Sequence, residues 1–171
     1  MDTEDELRRK IRKHRNTLYI IGTGTIVLGI WNTVKMIIFT VGLPQELFQE
    51  IIIYDELSDT GVLISAIIVI AFTAALMGLY LFAGDRARAE GLGKNKNGFY
   101  VGVIFLLSFF HASSVAVYVF MMFMGYETGE PILRLIVSIA VDLTAAVMLA
   151  EMGCSAVMIR VYERRTLAGN E

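Results

Sequence analysis

The segment from Pro131 to Val161 reads PILRLIVSIAVDLTAAVMLAEMGCSAVMIRV and is long enough to cross a bilayer as a helix, yet it carries Arg134, Asp142 and Glu151 inside the apolar run. An ionised side chain near the bilayer centre costs about 2.5 to 3.5 kcal/mol even on the mildest insertion scale. Asp142 and Glu151 must therefore face protein, water or a counter-charge, which makes this helix the interior of something.

Three further apolar runs accompany it. Thr17–Leu43 is broken only by Lys35, and Thr60–Gly84 and Asn97–Tyr126 contain no formal charge. With 56% hydrophobic and 19% charged residues, the chain exceeds the apolar content a soluble core can hide. The sequence predicts an all-α integral membrane protein, a four-transmembrane-helix bundle forming a single membrane domain over 1–171. Its spans are placed at 17–43, 60–84, 98–126 and 131–161, joined by segments 44–59, 85–97 and 127–130 and followed by a tail, 162–171. The basic start resembles a signal peptide, but its apolar run is too long and lacks a small-residue exit, so it reads as a retained first span.

Charge is divided between the connections. Lys and Arg crowd the start, the 85–97 connection and the tail, whereas Pro44–Asp59 and Glu127–Glu130 hold seven acids and no Lys or Arg. The positive-inside bias places both termini in the cytoplasm, an N-in/C-in topology in the cell (inner) membrane. Tyr19, Tyr80, Tyr100 and Tyr162 each fall at the expected cytoplasmic end of a different span, which reads as an interfacial belt.

Residues 1–16 predict a short cytoplasmic helix, with Thr3 and Glu6 in a capping-box pattern. Its bases Arg8, Arg9, Lys10, Arg12, Lys13 and Arg15 suit anionic lipid headgroups, or act only as topogenic charge. In the 44–59 segment Leu43, Leu47, Phe48, Ile51 and Ile52 share a face opposite Glu46, Glu50 and Asp55, predicting an outer amphipathic interfacial helix. The 85–97 connection predicts a flexible loop. Its GLGKNKNG lacks the ending and the preceding strand of a phosphate-binding loop.

Within the spans, Thr25, Gly29, Asn32 and Met36 form a small polar face suited to close packing or to a pore, Gly22 and Gly24 are expected to loosen the first helix, and Ala74 with Gly78 predicts a close contact on the second. Ser108, His111, Ser114 and Tyr118 lie near one face of the third. Asn32 and Ser108 are candidates for interhelical hydrogen bonds. His111 is either a proton-relay group or a satisfied buried histidine.

Aligning the span ends and counting about 1.5 Å per residue puts Lys35 level with Asp142 and Glu151 level with Ser108. Lys35 and Asp142 are thus expected to form an ion pair. Asp142 and Glu151 are nine residues apart, on opposite faces, so one face meets the bundle interior and the other meets a second chain or a water-filled path.

No catalytic constellation, metal-ligand spacing, cofactor motif or nucleic-acid signature is present. The single Cys154 excludes an intrachain disulfide, and His14 and His111 do not pair as in-chain ligands. The composition points to a small oligomeric channel or transporter subunit for a cation or proton-coupled solute, with Glu151, Asp142 and His111 as path residues. The alternative is a non-catalytic membrane subunit or anchor that assembles with itself or a partner membrane protein.

Overall fold

The first helix is organised by a seam of small residues. Along α1, Glu4–Gly42, the residues Leu18, Gly22, Thr25 and Gly29 recur at alternating spacings of four and three, so they line one face. Tyr80, Ala83, Gly84, Ala87 and Gly91 form the matching face of α2, Asp59–Gly91. A Cβ on Gly22 would stand 2.8 Å from the Gly84 carbonyl oxygen, and one on Gly91 would stand 2.7 Å from the Arg15 carbonyl oxygen. Hydrogen at these positions is what lets the two backbones touch.

The remaining elements of this computed structural model are α3, Phe99–Phe123, and α4, Ile132–Ala168. The structure describes residues 4–42, 59–94, 98–124 and 132–168. Among the described residues there is no strand, and all four helices are long and apolar enough to cross a membrane. α1 packs closely on α2 and α4, and α4 on α3, whereas α2 and α3 meet more sparsely.

At 39, 33 and 37 residues, α1, α2 and α4 are each longer than a bilayer core of about 30 Å requires at about 1.5 Å per residue. The excess gathers at the end carrying most of the bases, here called the basic end. This differs from the sequence reading in three places. The segment expected as a separate N-terminal helix is continuous with span one, Asp85–Gly91 extends α2 instead of opening a loop, and α4 runs through the expected tail to Ala168. Ion pairs hold these extensions together, because Arg15 meets Glu163 at 2.9 Å, so charged side chains sustain the helices past their apolar runs. The amphipathic helix expected at 44–59, apart from Asp59, and the turn at 127–130 lie outside the described residues.

The core lies in the basic half of the bundle. Leu18, Tyr100, Ile104, Leu107, Leu149, Met152 and Ile159 are fully buried. Towards the other end most side chains of α2 and α3 are exposed, including Ile67, Ile70, Phe72, Phe109 and Phe120, as hydrocarbon-facing residues are. Gly78 has open space where its Cβ would stand and Ala74 is exposed, so the contact expected there does not form among the described residues. Gly22, expected to loosen α1, is a packing position; Gly84 and Gly91 supply the close approach instead.

Candidate functional site: a polar array drawn from four helices

Ser108 on α3 donates a hydrogen bond to the Ala146 carbonyl of α4 at 2.9 Å, and this bond sets the register of the two helices. Three residues further along α3 and four back along α4 stand His111 and Asp142. The helical repeat carries them to the same side as that bond. His111 Nδ1 lies 2.8 Å from Asp142 Oδ1, with side chains 12% and 23% exposed.

The opposite ring nitrogen, Nε2, is hydrogen-bonded to the Tyr80 hydroxyl of α2. Tyr80 can reach it because Gly29 leaves room on α1, where a Cβ would fall 2.5 Å from the Tyr80 Cβ. Asn32, one helical turn along α1 from Gly29, is the polar neighbour of the Tyr80 side chain on that helix. Asn32, Tyr80, His111 and Asp142 come from α1, α2, α3 and α4 respectively. The tautomer with a proton on Nδ1 satisfies every partner: Nδ1–H donates to the carboxylate, and Nε2 accepts from the phenol.

A second array closes the basic end. Glu90 is 5% exposed, accepts a hydrogen bond from the Tyr100 hydroxyl at 2.6 Å and pairs with Arg160 at 3.1 Å, tying α2, α3 and α4 together. The Arg160 guanidinium also lies over the Tyr100 ring, 5.9 Å from its centroid. Next to it, His14 Nδ1 lies 3.3 Å from Ser155 Oγ, and Lys10 sits over the Tyr162 ring. Between the two arrays the interior is apolar, filled by Ile104, Leu107, Leu149 and Met152, and Thr25 turns its hydroxyl to the Ile21 carbonyl.

These contacts redistribute the residues singled out by sequence. His111 and Asp142 come together, and Ser108 bonds across to α4. Asp142 has His111 as a neighbour, while the Lys35 side chain expected to pair with it lies outside the described residues. Ser108 is level with Ala146, not with Glu151. Aligning span ends failed because α4 extends beyond α3 at the basic end, which shifts its register against α3 by about five residues, roughly 7 to 8 Å. Glu151 is exposed and has no hydrogen-bond or ion-pair partner among the described residues. Of the six N-terminal bases, Arg15 is committed to Glu163 and Lys10 to the Tyr162 ring.

Tyr80 and Tyr100 correct the expected belt. Both are buried and bonded to charged or titratable side chains, so they are interior hydrogen-bond donors rather than interfacial anchors. Glu90 escaped the sequence reading because it fell in the 85–97 connection assigned to water, and Arg160 because it stood in the last turn of the fourth span, 131–161, among the bases of that end. The signal that could have found Glu90 is the continuation of the α2 apolar face, Ala83–Ala87–Glu90, past the span limit at Gly84, and the signal for Arg160 is its place directly after the buried face Met152–Ala156–Ile159. Among the described residues no three His, Cys, Asp or Glu side chains gather as a metal set.

Comparison with known proteins finds no family model, no curated protein and no solved structure that matches this chain. The class rests on the fold itself: an all-helical chain with four helices long and apolar enough for a multi-pass membrane protein.

Proposed function

We propose that this chain is a small multi-pass transport protein of the cell membrane, with both termini cytoplasmic, that carries a proton or a proton-coupled cation or solute through the His111–Asp142 unit. The observation that carries the reading is the 2.8 Å contact between these two titratable side chains, closed by Tyr80 and set among four helices. Isolated polar side chains within spans often serve packing alone. A histidine held between a phenol and a carboxylate has in addition a way to take up and pass a proton: a proton arriving at Nε2 makes an imidazolium whose charge Asp142 balances, loss from Nδ1 to the Asp142 carboxylate leaves the Nε2–H tautomer, and the ring must turn over or exchange that proton before the next passage.

The orientation follows from the basic residues concentrated at one end of the bundle. Towards that end the fully buried Ile104, Leu107, Leu149 and Met152 form a dry plug, and Glu90, Tyr100 and Arg160 tie the helices beyond it. Passage then requires separation of α4 from α3 or α2, the rocking of one helix group against another that serves gating elsewhere.

A second reading, a non-catalytic subunit that assembles with itself or with a membrane partner, is favoured by Glu151, which stands exposed among apolar side chains. Ionic currents across planar bilayers containing the purified protein, with protons and alkali cations exchanged in turn, separate the two. The transport reading expects a conductance or a proton-driven current that Asp142→Asn lowers at least tenfold. A silent wild-type protein that co-purifies with a second membrane protein supports the subunit reading.

A further inference from the structure

We infer that the face between α1 and α4 is a binding site for a single-chain amphiphile with a cationic head, distinct from the His111–Asp142 unit. A groove of about 500 Å³ runs along this face, within the range of small-molecule sites. Leu28, Ala145 and Met148 line its depth, and Trp31, Val27 and Val141 stand more exposed at its sides. It exists because Gly24 is small: a Cβ there would meet only the Met148 sulfur, at 3.7 Å, so nothing of α1 fills the space.

A carboxylate stands just beyond the lining of the groove, at its end nearer the basic residues. Thr144 lines the groove, and Met148 and Glu151 follow at four and seven residues, so Glu151 lies on the same face of α4, one turn nearer the basic end. Apart from Thr144 the lining is apolar, and Glu151 has no partner among the described residues. A carboxylate beside an apolar channel selects an apolar body with a positive head, because a cation both fits the groove's exit and relieves the unpaired charge. The register bond from Ser108 brings Gly98, where α3 begins at the basic end, level with Ala156, so Glu151 lies about 7 to 8 Å inside that end. The head therefore sits at the edge of the apolar layer and the tail runs towards Trp31, the orientation of an amphiphile from the leaflet at the basic end. A phosphatidylethanolamine headgroup is a poorer occupant, since its phosphate would be drawn down beside the same carboxylate. A second copy docking by this face about a two-fold axis would bring two Glu151 side chains together, at a like-charge cost, so a self-contact here has to be head-to-tail.

Trp31, the sole tryptophan, lines the groove and reports its occupancy directly. The probe is decyltrimethylammonium, titrated into the protein in nanodiscs and compared with 2,2-dimethyldodecane, its uncharged carbon isostere. We expect a saturable change in Trp31 emission with the cation, an apparent Kd raised at least tenfold by Glu151→Gln, and weaker binding of the isostere that Glu151→Gln leaves unchanged. Gly24→Leu, which fills the groove, abolishes both. Equal cation affinity in wild type and Glu151→Gln, equal affinity for the isostere, or a stable dimer that covers Glu151 would each overturn the site. Binding is read without any gradient, so its outcome stands apart from whether the protein moves protons.

Discussion

His111 Nδ1 lies 2.8 Å from Asp142 Oδ1, on two different helices whose register is fixed one turn away by the Ser108–Ala146 bond. Neither side chain reaches water freely, so Asp142 depends on His111, and His111 on both Asp142 and Tyr80, for hydrogen bonds. Removing one partner of a buried pair strands the other, at a cost of about 3 kcal/mol. Asp142→Ala or His111→Ala should lower the thermal midpoint in detergent, and replacing both with apolar residues of similar size should recover much of the loss. Additive losses in this double-mutant cycle would show that the two residues are not coupled.

At the basic end the same logic applies to Glu90. Its carboxylate serves both Tyr100 and Arg160, so Glu90→Ala should destabilise by about 3 kcal/mol, and Tyr100→Phe, which removes one charge-assisted bond, by about 1.5 to 3 kcal/mol. Chemical denaturation in mixed micelles measures both. Wild-type stability of Glu90→Ala would remove this array from the account.

The α1–α2 seam makes a prediction of opposite signs at glycines. A side chain at Gly22 or Gly84 meets backbone atoms closer than 3 Å, so Gly22→Leu or Gly84→Leu should cost about 1 to 3 kcal/mol or prevent assembly. Gly78→Ala, pointing into open space, should be neutral or slightly stabilising. Thermal shift assays on the three variants test the seam, and equal effects at all three positions would contradict it.

Orientation is open to labelling. In a Cys154→Ser background, an impermeant thiol reagent applied outside cells should modify a cysteine placed at Thr128 and spare one at Asn95. The reverse pattern would place the basic end outside.

How far the sequence could be read is visible in particular residues. The four apolar runs are long and matched by four helices, because a run of that length and composition satisfies its backbone hydrogen bonds best as one helix. His111, Asp142, Asn32 and Ser108 stood out because a polar group inside an apolar run is conspicuous. Their partners did not. Tyr80 passed as an interfacial aromatic, Glu90 as a solvated loop charge and Arg160 as one more base at the end of its span, since burial at a helix end depends on how far the neighbouring helices extend, and α1, α2 and α4 extend well past their apolar stretches. Register was the other gap. Span ends are soft markers, and one interhelical bond, Ser108 to Ala146, moved Glu151 by more than a turn relative to α3.

Proton movement through the His111–Asp142 unit is tested most directly in liposomes with a trapped pH indicator, with the potential clamped by valinomycin and potassium. The protein should acidify the lumen down an imposed proton gradient, and His111→Gln and Asp142→Asn should each slow this at least tenfold while Val147→Ala, at an exposed apolar position, keeps the wild-type rate. Folded, reconstituted His111→Gln and Asp142→Asn proteins that move protons as fast as the wild type, or a wild type no faster than empty liposomes, would contradict the account.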